Sequence, residues 1–453
     1  MLAAAFQPFL EKAPLCVMTR LTLESLFRPE RLDALFSDTA QVQYQRELLF
    51  SQLVELMQSV VLRVHPNVYA AYKKRETQLS VSDQAIYDKL QRMELGVSAA
   101  LVEDSAQQLT PVIDALGARS PDWVPGHRTR IIDGNHLSKT ERRLKVLRPT
   151  WAAAMPGKVL AVYEPAIDLV TQVCLTPDGH AQERALFDDV LDLVQRRDLW
   201  IADRNFCTLK LLFGIDIKGA AFVIRQHAGL PFRLLGKRRF QGRTDTGVVH
   251  EQAMELEYEG RTLSVRRVTV TLDQPTTDGD TEIHIVTNLP QEKADALAVA
   301  EMYRKRWTIE GRFYEVTQTL NCEPNTLGYP KAALFAFCLA LVASNAVALM
   351  RASLRAVHEV KPVEEMSRYY MALEVRETYV GMMIALPPSE WLPFARLDAA
   401  DLAETLREVA RYVEPTKYRK AHRGPKKPPP PKGKYKNGGH VSTHKLLQRQ
   451  KQE

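Results

Sequence analysis

The sequence predicts an α/β protein: a sheet-forming centre with a β-rich insertion, flanked by helical regions at both ends of the chain. Three observations indicate this. Apolar residues recur at spacings of three and four between residues 20 and 115, short β-branched runs begin at residue 130, and helical spacing returns after residue 291. A 3.6-residue period is typical of helices, and short β-branched runs bounded by Pro and Gly are typical of strands.

The composition is that of a folded chain with its positive charge concentrated at the C-terminus. The 453 residues are 45% hydrophobic and 25% charged, which argues against disordered, collagen-like and disulfide-scaffold proteins. Residues 416–453 contain 12 Lys and Arg and one acidic residue, a net charge of +11, so the formal +7 of the chain leaves −4 for residues 1–415. A disordered basic tail over 416–453 is therefore expected to bind a polyanion.

Residues 1–125 are predicted to be a helical N-terminal domain that could bind DNA. Leu49, Leu53 and Leu56 follow the helical period, and Pro125 ends the region. No basic segment precedes the short apolar run at the N-terminus, so no signal peptide is predicted. The five cysteines are scattered and include no Cys-x-x-Cys pair, which indicates reduced thiols and a cytoplasmic location.

The centre of the chain is predicted to be an α/β core in two parts, residues 126–219 and residues 291–355, separated by a β-rich insertion over 220–290. Within the first part, β-branched or apolar runs predict strands from residue 130, at 158–165, at 169–177 and at 199–206. A helical stretch over 181–197 separates the last two strands, and alternating strands and helices are typical of an α/β core. Amphipathic helices are predicted over 356–415.

The segment Ala332–Met350 needs its own interpretation because it carries no charge over 19 residues. That length satisfies the rule for a transmembrane helix. Ser344 and Asn345 interrupt it, however, and a helix buried on all sides in a large core gives the same pattern. We favour the buried helix and expect no membrane contact, with a membrane anchor as the alternative.

Two carboxylates stand where apolar runs end. Asp133 follows Ile131 and Ile132 and precedes Gly134, and Asp203 follows Leu199–Ala202. Desolvating a carboxylate is costly, so a strand seldom keeps one unless it is paired or binds a metal. Each alone could start a turn or cap a helix, but two on one α/β core favour a shared metal site. The motifs GxxxxGK[ST], GxGxxG, HExxH and GxSxG do not occur.

A third carboxylate lies on the predicted helix around residue 306. Tyr303, Arg306 and Glu310 are spaced three and four apart, so their side chains are expected on one helix face. An ordinary Arg–Glu pair at i,i+4 would explain two of them. The combination with the two strand-terminal Asp residues favours a functional site.

The order of these motifs carries a resemblance. Strand-terminal Asp133, then Asp203 followed by Arg-Asn-Phe, a β-rich insertion, and Tyr303-x2-Arg306-x3-Glu310 with Phe313 resemble the DDE transposases of bacterial insertion sequences. The matching subgroup is the IS-four family, named for a Tyr-Arg-Glu-Lys signature. The resemblance covers residues 130 to about 350.

The resemblance implies a ribonuclease-H-like mixed-sheet core, two Mg²⁺ ions held by Asp133, Asp203 and Glu310, and cut-and-paste DNA transposition. Mn²⁺ is expected to substitute for Mg²⁺. It also implies that Tyr303 and Arg306 contact DNA near the cleaved end. The partners implied are the element ends and a target duplex, bound by a homodimer in the DNA complex, in a bacterial cytoplasm and on the nucleoid when DNA is bound.

Further basic residues complete the predicted site. Lys237, Arg238 and Arg239 lie near Phe240 in the insertion and are expected to face DNA; a solvated turn is the alternative. His136 is interpreted as a surface residue rather than a metal ligand.

The signature's Lys would fall seven residues after Glu310, where this chain has Thr317. This keeps open a transposase-derived protein that binds DNA without cutting it. A ribonuclease-H-like structure-specific nuclease without strand transfer is the other alternative.

Overall fold

The structure is a computed structural model. It describes residues 2–137, 144–147, 149, 154–276, 278–324, 326–420 and 441–452. The side chains of residues 312, 314, 315, 317–319, 368, 441 and 451 are also outside the description. Within the described chain, a large mixed sheet is packed between helices, and helical regions lie before and after the sheet in sequence.

The first 125 residues are helical, as predicted. They form α1 (Gln7–Lys12), α2 (Pro14–Leu26), α3 (Pro29–Thr39), α4 (Phe50–Val61), α5 (Val68–Arg75), α6 (Asp83–Arg92) and α7 (Leu95–Ala115). Their boundaries follow ordinary start signals: the side chains of Asn67 and Ser82 cap α5 and α6, and Pro occupies the first position of α2 and α3.

The core begins with a five-stranded arrangement. Its strands are β1 (Arg128–Leu137), β3 (Gly157–Glu164), β4 (Leu169–Thr176), β5 (Asp198–Ala202) and β6 (Ala221–Arg225), with helices α8 (Phe187–Leu193) and α9 (Leu209–Ile217) between them. The short strand β2 (Ala154–Met155) precedes β3 in sequence and lies outside this sheet. The strand order is β4-β3-β1-β5-β6, with β1 antiparallel to β3 and parallel to β5, and β5 parallel to β6. This is the ribonuclease-H-like mixed sheet that the sequence predicts.

The β-rich insertion extends this sheet. It contains β7 (Arg233–Thr244), β8 (Gly247–Tyr258), β9 (Arg261–Leu272) and β10 (Glu282–Thr287). β10 pairs antiparallel with β6, and β9, β8 and β7 follow in antiparallel order, which gives nine strands in all. The insertion therefore continues the hydrogen-bonded sheet of the core, and β7 forms its free edge.

The chain then returns to helices. They are α10 (Ala296–Lys305), α11 (Trp307–Thr319), α12 (Pro330–Arg355), α13 (Val360–Glu365), α14 (Arg368–Ala385), α15 (Pro388–Trp391), α16 (Ala399–Ala410) and, after the short strand β11 (Val441–Ser442), α17 (Thr443–Gln452).

Helix α12 contains the uncharged segment and forms the centre of the fold. It is long and apolar enough to cross a membrane, but 94% of its most apolar 18-residue window is buried inside the protein. It packs against α2, α4, α7, β3 and β4. The Asn345 side chain explains the polar interruption: it accepts a hydrogen bond from Val170 N–H at 2.9 Å and donates to Val170 O at 2.8 Å, which satisfies backbone groups of β4.

Two apolar layers cover the two faces of the core sheet. Ile131 and Ile201 belong to the larger cluster, which joins the N-terminal helices and α12. Ile132 and Ala202 belong to a second cluster with α8 and α9. Side chains alternate along a strand, so neighbouring residues at the ends of β1 and β5 face opposite layers.

The C-terminal segment 416–453 differs at both ends from the disordered tail that the sequence predicts. Residues 416–420 are placed against Glu364 and Glu365, and β11 pairs in parallel with β2. The Ser442 hydroxyl and the Lys445 ammonium both bind Asp178, at 2.5 and 3.1 Å. The average composition of the tail predicts disorder, but its last residues form a short strand and helix because β2 and Asp178 bind them. Residues 421–440 lie outside the described chain.

Candidate active site

Asp133 and Asp203 lie at the same level of the sheet. Asp133 is inside β1, not at its end as predicted, because antiparallel pairing with β3 continues to Leu137. The parallel pairing with β5, in contrast, stops at Ile131 and Ile201. Asp133 and Asp203 are each two residues beyond that last pair, so the register of two parallel strands places both carboxylates at one edge.

Each of the two Asp side chains is fixed by a nearby backbone N–H. Gly134 N–H donates to Asp133 Oδ1 at 2.9 Å, and Asn205 N–H donates to Asp203 Oδ1 at 2.8 Å. The second bond caps the short 3₁₀ turn Arg204–Phe206. Asp203 therefore does have the capping role considered from the sequence, and it also faces the site.

The helix that carries the third carboxylate is interrupted at Arg306. The sequence predicts one continuous helix; the structure ends α10 at Lys305 and begins α11 at Trp307. The tight turn still brings the three predicted side chains together. Arg306 binds Glu310 at 2.7 Å, and its guanidinium carbon lies 5.9 Å from the centre of the Tyr303 ring.

Arg306 joins the helix to the sheet. Its Nη1 donates to Asp133 Oδ2 at 3.0 Å, while its Nη2 donates to Glu310 Oε1 at 2.7 Å. The residue is only 5% exposed. Its Nε is buried and has no hydrogen-bond partner among the described residues, so one donor of the guanidinium is left for a ligand.

The electrostatics of Asp133 reflect this crowding. Burial raises the pKa of Asp133 to about 6, against the opposing effects of Arg306 and the Gly134 N–H, and the charges of Asp203 and Glu310 raise it further. Asp203 and Glu310 are therefore close enough to Asp133 for their charges to disfavour its ionisation. A bound cation would relieve that repulsion.

A divalent cation fits this donor set in its chemistry, since Mg²⁺ and Mn²⁺ bind carboxylate oxygens. In the present arrangement Arg306 supplies the positive charge between Asp133 and Glu310. Within the described part of the chain, no group of three His, Cys, Asp or Glu side chains is already arranged around a metal position. Metal binding at this site would require the guanidinium to move.

Glu183 is a fourth carboxylate at this edge, and the sequence analysis missed it. It begins the 3₁₀ turn Glu183–Leu186, lines one cavity with Asn205, and has its pKa raised by burial and then by the charge of Asp203. Its carboxyl group lies against Gly134. A glycine inside a strand often marks a close approach, and Gly134 was the available signal.

Two cavities open beside the carboxylates. One, of about 200 Å³, is lined by Asp203, Arg306 and the indole of Trp307, which is 61% exposed. The next, of about 420 Å³, is lined by basic, aromatic and two acidic side chains: Arg204, Arg225, His227, Phe232, Arg267, His284, Asp280 and Glu282. A larger cavity, of about 790 Å³, lies between α2, α4 and residues 388–396; it contains none of the site residues, so its size does not identify it as the active site.

The predicted DNA-contacting residues are placed differently from one another. Tyr303 is largely buried beside Arg306 and lines the 200 Å³ cavity with it. In the insertion, Lys237 and Arg239 are exposed on β7, while Arg238 pairs with Glu282 at 3.0 Å. Burial and then the charge of Arg238 lower the pKa of Arg267, so Arg238 contributes to the positive potential of the 420 Å³ cavity.

Two further residues that the sequence singled out are His136 and Thr317. His136 is exposed on β1 and lines a cavity that also contains Lys158 and Glu183. Side chains alternate along β1, so His136, three positions after Asp133, faces the opposite side of the sheet. Thr317 lies on α11, but its side chain is outside the described side chains.

Comparison with known families is consistent with this geometry. Residues 125–346 match the family model of the transposase DDE domain. Asp133, Asp203, Arg306, Glu310 and Glu183 all fall within the matched residues, so the match supports a transposase. No curated protein matches the chain. A cryo-EM structure of piggyBac transposase, in a synaptic complex with hairpin DNA, is similar with 11% identity and a TM-score of 0.38, covering 88% of this chain and 85% of that chain.

Proposed function

We propose that this protein is a DNA transposase that cleaves phosphodiesters at the ends of a mobile element and joins those ends to a target duplex. The proposal rests on one observation: β1, β5 and α11 bring Asp133, Asp203 and Glu310 to one sheet edge, with Arg306 between two of them. The match to the transposase DDE domain over residues 125–346 supports the same class. The Tyr303, Arg306 and Glu310 spacing favours the Tyr-Arg-Glu-Lys subgroup.

The chain's own residues have distinct roles in this proposal. Asp133, Asp203 and Glu310 would hold divalent cations, Mg²⁺ by preference, and these ions supply an activated hydroxyl and stabilise the leaving oxygen. Arg306 would turn from the carboxylates to the DNA, where a planar guanidinium can bind a phosphate through two parallel hydrogen bonds. Its Nε, buried and without a hydrogen-bond partner among the described residues, would gain one on such a turn.

The 420 Å³ cavity next to the carboxylates is where the DNA backbone would lie. Three arginines, Arg204, Arg225 and Arg267, line it together with two acids, and basic side chains bind phosphates without reading sequence. We propose that the DNA backbone runs from this cavity past Asp203, and that two copies of the chain hold two element ends. Light scattering of the protein with and without DNA ends would test the second point, with a complex of two chains expected on DNA.

The direct test is an assay of cleavage and joining. Purified protein is incubated with duplexes that carry the sequences flanking its own gene, with Mg²⁺, Mn²⁺ or EDTA, and with a supercoiled plasmid as target. We expect divalent-dependent nicking next to the element end and covalent joining to the plasmid. Asp133→Asn, Asp203→Asn and Glu310→Gln should each lose cleavage and keep DNA binding.

A matched control is available on the neighbouring helix. Glu301 pairs with Arg304 at 2.6 Å in a similar Arg–Glu contact on α10, but it lines none of the cavities at the site. Glu301→Gln should therefore cut like the wild type. Divalent-dependent cleavage that survives all three active-site substitutions would exclude the proposed chemistry.

One alternative has a specific observation in its favour. The Arg306 bridge between Asp133 and Glu310 occupies the place of a cation, as expected of a transposase-derived protein that binds DNA without cutting it. Specific binding to the flanking duplexes without cleavage in Mg²⁺ or Mn²⁺ would favour this alternative over an active transposase. Cleavage without joining to the plasmid would instead favour a structure-specific nuclease.

A further inference from the structure

Glu183 approaches the site from behind the sheet. By strand alternation Gly134 faces the same layer as Ile132, the layer that contains Leu186. A Cβ added to Gly134 would overlap the Glu183 carboxyl group, with its carbon only 3.1 Å away. Gly134 has no left-handed backbone conformation to explain it. Glycine at this position leaves room for the Glu183 carboxyl group where it now lies.

The second neighbour of Glu183 leads to the other strand. The Asn205 side chain lines the same cavity as Glu183 and favours its charged form. Lys158, which is buried and donates to Ala181 O, also lines this cavity and attracts the carboxylate. Glu183 therefore lies against Gly134 within β1 and beside Asn205 after β5, with a cation of β3 nearby.

These two contacts have a common feature. Gly134 and Asn205 are the residues whose backbone N–H groups bind the Asp133 and Asp203 carboxylates, at 2.9 and 2.8 Å. One side chain thus touches both residues that fix the two catalytic Asp side chains. No other connection of this kind between the two strand ends is visible among the described residues.

We propose that Glu183 is a positioning residue that sets the separation and orientation of Asp133 and Asp203 through Gly134 and Asn205. The proposal rests on the proposed function, because it assigns those two Asp residues to the chemistry. In this role the Glu183 side chain acts mainly through its shape and its hydrogen-bond acceptor, and less through its negative charge. A misplacement of about 1 Å in such a site costs about a hundredfold in rate.

The test uses the full chain and four variants: Glu183→Ala, Glu183→Gln, Gly134→Ala, and Gly134→Ala combined with Glu183→Ala. Glu183→Ala is expected to slow single-turnover cleavage by about tenfold to a hundredfold. Glu183→Gln, which keeps the shape and an acceptor for Asn205, should remain within about threefold of the wild type. Gly134→Ala should be as slow as Glu183→Ala, because its methyl group displaces the carboxyl group.

The double variant identifies the contact itself. Once Glu183 is reduced to Ala, the methyl group at position 134 no longer meets it, so the double variant should be no slower than Glu183→Ala alone. A purely structural loss would instead lower the melting temperature and add up in the double variant. Melting temperature and DNA affinity are expected to match the wild type in all four proteins.

A second measurement does not depend on cleavage. Mn²⁺ alone, titrated into each protein without DNA and followed by electron paramagnetic resonance, should bind about fivefold or more weakly to Glu183→Ala than to the wild type or Glu183→Gln. The control Glu301→Gln should not change Mn²⁺ affinity.

Each outcome decides the proposal. Glu183→Gln as slow as Glu183→Ala would make Glu183 a charged participant rather than a positioning residue, and wild-type behaviour of Glu183→Ala would leave it no role. An additive loss in the double variant would also overturn the proposal. If the wild type does not cut, the proposed function fails and the Mn²⁺ titration still decides on Glu183; if it binds no Mn²⁺, both fail.

Discussion

Two regions of the nine-stranded sheet contain the same kind of ion pair, buried in one region and exposed in the other. At the carboxylate edge, Arg306 and Asp133 pair at 3.0 Å with side chains 6% and 15% exposed. In the insertion, Arg243 and Asp273 pair at 2.6 Å with side chains 58% and 42% exposed. Similar geometry carries different energies, because charges buried together lose their hydration while exposed charges keep most of it.

The difference shows which charges are costly to the fold. The insertion pairs Arg233, Arg238 and Arg243 with its own acids at the surface, where water screens the charges. The carboxylate edge concentrates three acids around one arginine, and the raised pKa of Asp133 shows that the arginine does not fully compensate them. A fold tolerates such a cost where function requires it.

The largest expected effect is on stability when the buried pair is broken. Arg306→Met should lower the free energy of unfolding at pH 8 by about 3 kcal/mol, because Asp133 and Glu310 lose their shared partner. The exposed counterpart Arg243→Met should change it by less than about 0.5 kcal/mol. Urea denaturation of both variants measures the contrast, and equal effects would remove the distinction between the two regions.

The pH dependence of Asp133 gives a smaller effect with a definite sign. Its folded-state pKa of about 6 lies above the ordinary 3.8, so the folded protein takes up a proton between these values and loses stability as pH rises through them. Asp133→Asn removes this loss. Its stability relative to the wild type should therefore be greater at pH 8 than at pH 4 by about 2 kcal/mol.

The control for this experiment is Asp273→Asn in the insertion. That carboxylate is 42% exposed, so its replacement controls for the loss of one surface charge. A difference for Asp133→Asn that is flat with pH would mean that the pKa of this carboxylate is not raised in the folded protein.

Cation binding should compete with Arg306 for the carboxylates. Saturating Mn²⁺ at about 100 times its dissociation constant would stabilise the wild type by about 2.7 kcal/mol if it binds only the folded state. Arg306→Met should bind Mn²⁺ more tightly than the wild type, since no guanidinium has to be displaced. Calorimetric titration measures this, and weaker binding by the variant would show that Arg306 supports the cation site instead of competing with it.

The smallest effect is expected from the exposed insertion charges. Replacing Lys237 and Arg239 by Ala should weaken binding to all duplexes alike and make the slope of log affinity against log salt shallower, by roughly 0.9 for each phosphate that the variant no longer neutralises. Lys237 and Arg239 are exposed, whereas Arg238 is held by Glu282. An unchanged slope would mean that this strand does not touch DNA.

The sequence predicts most of the fold because local patterns specify most of its elements. The helical period of residues 1–125, the β-branched runs of the core and the uncharged α12 segment all form the structures expected of them. The insertion looked like a separate unit because β7–β9 alternate in their own pattern. Only the pairing of β10 with β6, a contact between distant residues, makes it part of the core sheet.

The sequence predicts that three carboxylates and Arg306 lie together, and the structure brings them near one another; their catalytic role stays a prediction. Their positions follow from strand ends and helical spacing, which are local. The Arg306 bridge, the burial of Tyr303 and the approach of Glu183 depend on how α11 and the 3₁₀ turn Glu183–Leu186 pack on the sheet. Such packing joins residues far apart in sequence. Gly134 indicates a close approach but not which residue approaches.

The free edge of the sheet has a consequence for the behaviour of the protein in solution. β7 ends the sheet, and a long unpaired edge strand is a template on which another copy could add a strand and polymerise. Two irregularities in its pairing, near Gly236 and Gly242, which both have positive φ, bend this edge, and Lys237 and Arg239 place like charges along it. The positive charges that suit binding to a phosphate backbone therefore also keep copies of the chain from joining edge to edge. Removing too many of these charges is expected to cause the protein to aggregate.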